Sequence, residues 1–283
     1  MPVLSGSACT AVRSLVEGAP REGTVVTVGC RAVYLRVGAD VVSVLTARAA
    51  RLPCGVVLAP GATLPSSLVA GQRVWVGNGA LSWNDGTGDW RIRPLRWWAP
   101  AVVQPGARSA GGGDLLRRLL PDAPAAGPQP WLVDALDAAA RSLASGRPEE
   151  AADACLMVIG RGRGSTPSGD DAVAGLLLAA RAMLPVDGVG EGHGPARHLA
   201  ALAERVAAAA PDRTTTVSAA LLRHAAAGRA VGTVVDAVDV LVDRSPSPHP
   251  DDVLRRMLAI GHGSGVDTAT GLLAAADHLP VAA

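Results

Sequence analysis

The chain contains no lysine and no phenylalanine, and all 26 of its basic residues are arginine. Without a lysine amine there is no protein Schiff base, no P-loop lysine to grip a phosphate and no lysine general base. The arginines never gather into a dense block and the formal net charge is only +1, so nucleic acid is excluded as an expected partner. No run of 18 apolar residues occurs, which leaves no membrane span. No charged stretch followed by an apolar one marks a secretory leader. The four cysteines, Cys9, Cys30, Cys54 and Cys155, are widely spaced and form no CxxC pair, so a zinc site is not expected. Together these absences describe a cytoplasmic protein with reduced thiols.

What is present is enough for a sizeable core. The 283 residues are 49% apolar and 18% charged, a globular balance, and the length suggests two domains. Residues 1–104 read as β-rich. Short Val-heavy runs, Gly23 to Val28, Ala32 to Val37, Val41 to Leu45, Val56 to Leu58 and Arg73 to Val76, are punctuated by glycine-containing turns. Asn84-Asp85-Gly86-Thr87-Gly88 is a hairpin signal between Leu81-Ser82-Trp83 and Asp89-Trp90-Arg91-Ile92. Five of the six tryptophans fall between Trp75 and Trp98, consistent with an aromatic binding face or with hairpin packing in a small barrel.

Residues 105–130 read as a linker. Pro105-Gly106 and Ala110 to Gly113 break structure, Asp114 to Leu120 is a helical island, and Pro121 to Pro130 is rich in Pro and Ala. From Trp131 the chain reads helical, with segments at 131–143, from Arg147-Pro148-Glu149-Glu150, and at about 171–184, 195–209, 214–227, 230–242, 250–259 and 265–277. Loops are expected over 188–194 and 245–250. The expected fold is therefore α+β: an N-terminal β-barrel-like domain over 1–104, the linker, and a mainly α-helical domain over 131–283.

One polar stretch is pinned between two apolar runs: Gly160-Arg161-Gly162-Arg163-Gly164-Ser165-Thr166-Pro167-Ser168-Gly169-Asp170-Asp171. It has an echo. Ser168-Gly169-Asp170-Asp171-Ala172-Val173-Ala174-Gly175-Leu176-Leu177 and Ser264-Gly265-Val266-Asp267-Thr268-Ala269-Thr270-Gly271-Leu272-Leu273 both fit S-G-x-D-x-x-x-G-L-L. Both follow Ile-Gly-x-Gly, and the first copy inserts Arg163 to Pro167. Ser at the N-cap with Asp three residues on explains a helix start. It does not explain the Gly-x-Gly, nor two helices each carrying a costly glycine. If the two starts face each other, two positive dipole ends converge near Arg161, Arg163 and His262, which suits a carboxylate or phosphate. Asp170, Asp171 and Asp267 are then acid/base or divalent-cation candidates.

A third polar patch, Asp212-Arg213-Thr214-Thr215-Thr216-Val217-Ser218, offers more hydroxyls than a cap needs. Its two readings are an N-cap with solvent-facing hydroxyls and a contribution to the same site. His193, His198, His249 and His278 show no metal-ligand spacing. Ser168 and Ser264 are not in a G-x-S-x-G elbow, so a serine hydrolase is not indicated.

Three motifs together carry a family resemblance: T-P-S-G-D-D at Thr166 to Asp171, T-x-x-S-x-x-L-L-x-x-A-x-x-G from Thr215 to Gly228, and G-H-x-S-G-x-D from Gly261 to Asp267. The region 150–277 resembles a family that includes one subunit of the three-subunit bacterial oxamate carbamoyltransferase, of anaerobic allantoin (purine) breakdown. Two departures stand out. Ser165 precedes Thr166 where the family has an apolar residue, and Val173 and Ala174 are small. The resemblance implies a cytoplasmic transferase subunit that exchanges a carbamoyl group between oxamate and phosphate, giving carbamoyl phosphate, in a heteromeric complex. On that reading Arg161, Arg163, Gly164, Thr166, Ser168, Gly169, Arg213, Thr216, Ser218, Ser264 and Gly265 bind the small anionic substrate, and Asp170, Asp171, His262 and Asp267 do the chemistry. No cofactor is firmly implied, and Mg²⁺ at Asp170, Asp171 or Asp267 is an alternative. So is a non-catalytic subunit that holds a ligand for, or scaffolds, its partners.

Overall fold

The computed structural model describes residues 3–105, 111–125, 127–184 and 194–280. His193, the loop expected over 188–194 apart from Gly194, and residues 106–110 of the expected linker lie outside them. The chain divides into two compact units, Met1–Ala101 and Val102–Ala283.

The first unit is a closed eight-stranded barrel. Its strands are β1 (Val3–Cys9), β2 (Arg21–Val28), β3 (Ala32–Val37), β4 (Asp40–Leu45), β5 (Gly55–Leu58), β6 (Arg73–Gly77), β7 (Ala80–Asn84) and β8 (Asp89–Trp98), with a short helix α1 (Arg13–Glu17) after β1. The order around the barrel is β1-β5-β4-β3-β2-β6-β7-β8. The pairs β4–β5 and β1–β8 are parallel and the others antiparallel. Closure leaves no free sheet edge. The Val-rich runs supply the interior: Val25, Val33, Leu35, Val42, Val44, Val56, Val74, Val76 and Ile92 are all buried.

β1 has no such signature in the sequence, being Ser/Gly/Ala-rich. Its small residues serve closure instead. A side chain at Gly6 would lie 2.3 Å from the Val57 carbonyl oxygen of β5, and the β1–β8 register shifts at Gly6/Ser7. The tryptophans mostly pack within this unit. Trp83 and Trp90 sit opposite each other on the β7–β8 hairpin and stack at 5.9 Å. Trp97 and Trp98 lie under Arg13 and Arg51, while Trp75 is exposed.

The second unit is helical: α2 (Gly112–Leu119), α3 (Pro130–Ala144), α4 (Pro148–Val158), α5 (Ser168–Met183), α6 (Pro195–Arg213), α7 (Thr216–Ala226), α8 (Gly232–Leu241), α9 (Pro250–Leu258) and α10 (Ser264–His278). Gly112 and Gly113, read as a break, instead form the first turn of α2. They do so because α2 presses on α8: a side chain at Gly112 would lie 2.3 Å from the Val240 carbonyl oxygen. α2, within the stretch read as a linker, thus packs on α8, α9 and α10. Among the described residues no helix is long and apolar enough to cross a membrane.

The centre of this unit is the pair α5 and α10. Gly175 and Gly271 make the crossing. A Cβ on Gly271 would sit 1.9 Å from the Ala172 carbonyl oxygen of α5, and one on Gly175 would sit 2.2 Å from the Thr268 carbonyl oxygen of α10. The helices run in the same direction with their starts together.

The echo in the sequence extends over three helices. α3 packs on α4 and on α10; α8 packs on α9 and on α5. α4 and α9 both open on proline followed by two acids, Pro148-Glu149-Glu150 and Pro250-Asp251-Asp252. In each copy the glycine after the serine lets the new helix start lie against the end of the helix before it. A Cβ at Gly169 would be 1.9 Å from the Val158 carbonyl oxygen of α4, and one at Gly265 would be 2.2 Å from the Met257 carbonyl oxygen of α9.

Candidate functional site

The repeat puts Ser168 and Asp171 one turn apart at the start of α5, and Ser264 and Asp267 likewise at the start of α10. Since the helices run side by side, each serine lies near the aspartate of the other helix. Hydroxyl hydrogen bonds draw the Asp171 carboxyl toward Ser264 and the Asp267 carboxyl toward Ser168. Thr166, in the inserted loop, joins this group: its Oγ1 lies 3.3 Å from Ser264 Oγ.

This overturns the capping-box expectation. The N-caps are Pro167 and Gly263, and neither helix start has a side-chain cap bond. A serine whose hydroxyl faces the neighbouring helix is not available to its own backbone. The starts are satisfied by main chain instead. Asp170 and Asp171 N–H donate to the Pro167 carbonyl, and Asp267 N–H donates to that of Gly263. Gly169 and Gly265, expected to offer N–H groups to a ligand, donate theirs to the carbonyls of Arg161 and Ile260.

The two adjacent carboxylates of the loop have different surroundings. Asp170 is buried and turns to the loop behind it. One oxygen accepts the Gly160 N–H at 2.8 Å and the other accepts the Thr214 hydroxyl. Such a carboxylate is a brace between the loop and the approach to α7. Asp171 turns to α10. Its Oδ2 is cut off from solvent and has no hydrogen-bond partner. Burial pushes its pKa up to about 7; the Ser264 and Thr166 hydroxyls pull it down and the charges of Asp267 and Asp170 raise it. Burial also raises Asp267, against the pull of Ser168. Both carboxyls are part-buried, and the charge of Asp267 adds to the rise at Asp171.

The other candidates are distributed around this group. Arg161 stacks over Trp131 of α3 at 4.3 Å, and Arg213 Nη1 donates to the Leu156 carbonyl at 3.3 Å; both are exposed. Arg163 and Gly164 in the inserted loop, and His262 between α9 and α10, are also exposed. Thr216 opens α7 half-buried, and Ser218, two residues further on, is buried.

The threonine run holds the loop in place. Thr215 caps α7 by accepting the Ser218 N–H at 3.1 Å, and its hydroxyl donates to the Ser165 carbonyl at 2.6 Å. Thr214 was not among the expected site residues. Its signal was adjacency to Thr215 and Thr216 alone, which does not tell which hydroxyl reaches a carboxylate. The structure thus brings together Thr166, Ser168, Asp171, Ser264 and Asp267, and it engages Asp170, Arg161 and Arg213 elsewhere. Among the described residues no group of three or more His, Cys, Asp or Glu side chains is arranged to hold a metal ion.

Chemically, the arrangement is two hydroxyl-lined carboxyls on two helix N-termini, with the pKa of Asp171 pushed up to about 7 by burial. Such a group can give a proton, take one, or hold a ligand that presents both a donor and an acceptor.

Residues 158–276 match the family model described as oxamate carbamoyltransferase subunit AllH. The match starts at the end of α4 and ends within α10, so it spans both helix starts and excludes the barrel. No curated protein and no solved structure matches the chain.

Proposed function

From the match of residues 158–276 to the family model described as oxamate carbamoyltransferase subunit AllH, we propose that this chain is one subunit of a carbamoyl-transferring enzyme acting on a small carboxylate–amide with phosphate. The observation that carries this reading is the gathering of Thr166, Ser168, Asp171, Ser264 and Asp267 at two adjacent helix starts.

In such a transfer the carbamoyl carbon is bonded to the nitrogen of oxamate. A phosphate oxygen attacks that carbon, the C–O bond forms and the C–N bond breaks. The departing nitrogen takes a proton, leaving oxamate and carbamoyl phosphate. The step needs a proton donor for the leaving nitrogen and hydrogen bonds for charge developing on the carbonyl oxygen. Asp171, whose pKa burial pushes up to about 7, suits the first task. The Ser168, Ser264 and Thr166 hydroxyls suit the second. We assign the phosphate to Arg163, an exposed cation of the same loop as Thr166.

A second reading is a subunit that holds ligand for a partner's catalytic groups. It is favoured by the engagement of Arg161 and Arg213 away from the two carboxyls. One experiment addresses both. The purified chain, alone and then with co-expressed partner subunits, is assayed for carbamoyl phosphate formed from N-carbamoyl oxamate and phosphate. The enzymatic reading expects activity that falls at least 100-fold with Asp171→Asn. Full activity of the complex carrying that variant sinks the catalytic role and leaves the holding role. No carbamoyl phosphate from any combination sinks both.

A further inference from the structure

Resting on the carbamoyl-transfer reading, we infer that Thr215, at the start of α7, is a positioning residue for the transfer: it holds the inserted loop so that the Thr166 hydroxyl reaches the start of α10. Thr215 opens the T-x-x-S-x-x-L-L-x-x-A-x-x-G motif and acts on the site from a helix other than α5 and α10.

A threonine hydroxyl has one proton to donate and lone pairs to accept with, and Thr215 uses both. It accepts the Ser218 N–H at 3.1 Å, which caps α7, and it donates to the Ser165 carbonyl at 2.6 Å. The cap needs only the acceptor. The donated bond serves the loop, and its partner is the carbonyl of the residue immediately before Thr166. Thr166 in turn places its Oγ1 3.3 Å from Ser264 Oγ. The Ser165 carbonyl and the Thr166 nitrogen belong to one planar peptide unit. Fixing the carbonyl therefore restricts the direction in which the Thr166 side chain leaves the backbone. The bond is made to main chain, so it does not depend on the residue type at 165.

The other ties hold the beginning of the loop. Gly160 N–H donates to Asp170 at 2.8 Å, and Arg161 N–H donates to the Val158 carbonyl at 3.0 Å. A side chain at Gly162 would come within 2.4 Å of the Ser168 nitrogen. Two glycines with positive φ, Gly162 at 125° and Gly164 at 91°, separate the ties at Gly160 and Arg161 from Thr166, and glycine restrains a chain least. The Thr215 bond lies beyond both, next to the hydroxyl it directs. In the proposed transfer that hydroxyl donates to the carbonyl oxygen as charge develops there. Its misplacement costs the transition state more than the bound ligand, so loss of the tie lowers kcat and spares KM.

The test is steady-state kinetics of carbamoyl phosphate formation by the full chain with its co-expressed partner subunits, with urea denaturation of each variant alongside. Thr215→Asp separates the two bonds. An ionised Asp is a good N-cap acceptor and has no proton for the Ser165 carbonyl. This variant is expected to keep the wild-type urea midpoint and to lower kcat about tenfold or more. Its KM for phosphate and for N-carbamoyl oxamate should stay within about twofold of wild type. Thr215→Ser keeps both bonds and should retain the wild-type kcat. Thr166→Val should lower kcat at least as far as Thr215→Asp. The double variant should be no slower than Thr166→Val alone, because the two residues act through one hydroxyl.

Wild-type kcat in Thr215→Asp, a loss that Thr215→Ser shares, or losses that multiply in the double variant overturn the inference and leave the carbamoyl-transfer reading standing. If Thr215→Asp does not fold, Thr215→Val takes its place, and its kcat loss should likewise vanish in the Thr166→Val background. No carbamoyl phosphate from the wild-type complex sinks the reading and the inference together.

Discussion

At the scale of the residue, neighbouring carboxylates with the same covalent chemistry do different things. Asp170 braces Gly160 and Thr214, and Asp171 turns to α10. Replacing Asp170 by Ala leaves a buried N–H and a hydroxyl without their acceptor. The expected loss is about 2–4 kcal/mol, read from urea denaturation, with Asp170→Asn intermediate because it keeps one acceptor. Asp171 gives the opposite pH signature to an ion-paired acid. Its folded pKa is raised to about 7, so the folded chain keeps a proton that the unfolded chain loses near about pH 4. Stability is full below that range and declines as pH rises to about 7. Urea midpoints should therefore fall between pH 5 and pH 7.5 in the wild type, and Asp171→Asn should flatten the decline. A midpoint that rises over that interval in the wild type, and does so through Asp171, would contradict the assignment. The sequence made both aspartates visible but not their division of labour. That depends on which face of α5 meets α10 and which meets the approach to α7, and no local pattern encodes it.

At the scale of the element, the crossing of α5 and α10 is set by Gly175 and Gly271. Gly271→Ala would place a methyl against the Ala172 carbonyl, so the helices must separate. We expect a loss of about 2 kcal/mol or more, measured as thermal and urea unfolding, and a weakening of oxamate binding, because the two starts move apart together. The spacing S-G-x-D-x-x-x-G-L-L put a small residue on the acid's helix face, open either to a helix contact or to a ligand, and the structure shows the contact. The spacing was not enough to identify the caps. Ser168 and Ser264 have the right type for capping, and tertiary pairing drew their hydroxyls across to the neighbouring helix. Thr215 does cap α7, and Thr215→Ala should cost about 1 kcal/mol and release Ser165, a change visible as faster proteolysis at the inserted loop. The wider three-helix repeat left a trace in Pro148-Glu149-Glu150 and Pro250-Asp251-Asp252, but those residues read individually as ordinary helix starts.

At the scale of the whole molecule, the two units were legible to different depths. The barrel showed in its Val-rich runs and in the Asn84 to Gly88 turn, because alternating burial and turn chemistry are local. β1 did not show, because closing a barrel against β5 and β8 selects small residues that no strand propensity favours. The helical unit was legible nearly helix by helix. What stayed hidden was the packing that brings two helix starts into one cluster of carboxyls and hydroxyls. All eight barrel strands find partners within residues 1–101, so this segment expressed alone should retain strand-type circular dichroism and unfold cooperatively. The central claim is that the starts of α5 and α10 form one ligand site. The most direct measurement is a crystal structure of the full chain grown with saturating oxamate. The account predicts ligand density between the two helix starts, within hydrogen-bonding distance of Asp171 and Asp267. Density elsewhere on the chain, or none between those carboxyls, would contradict it.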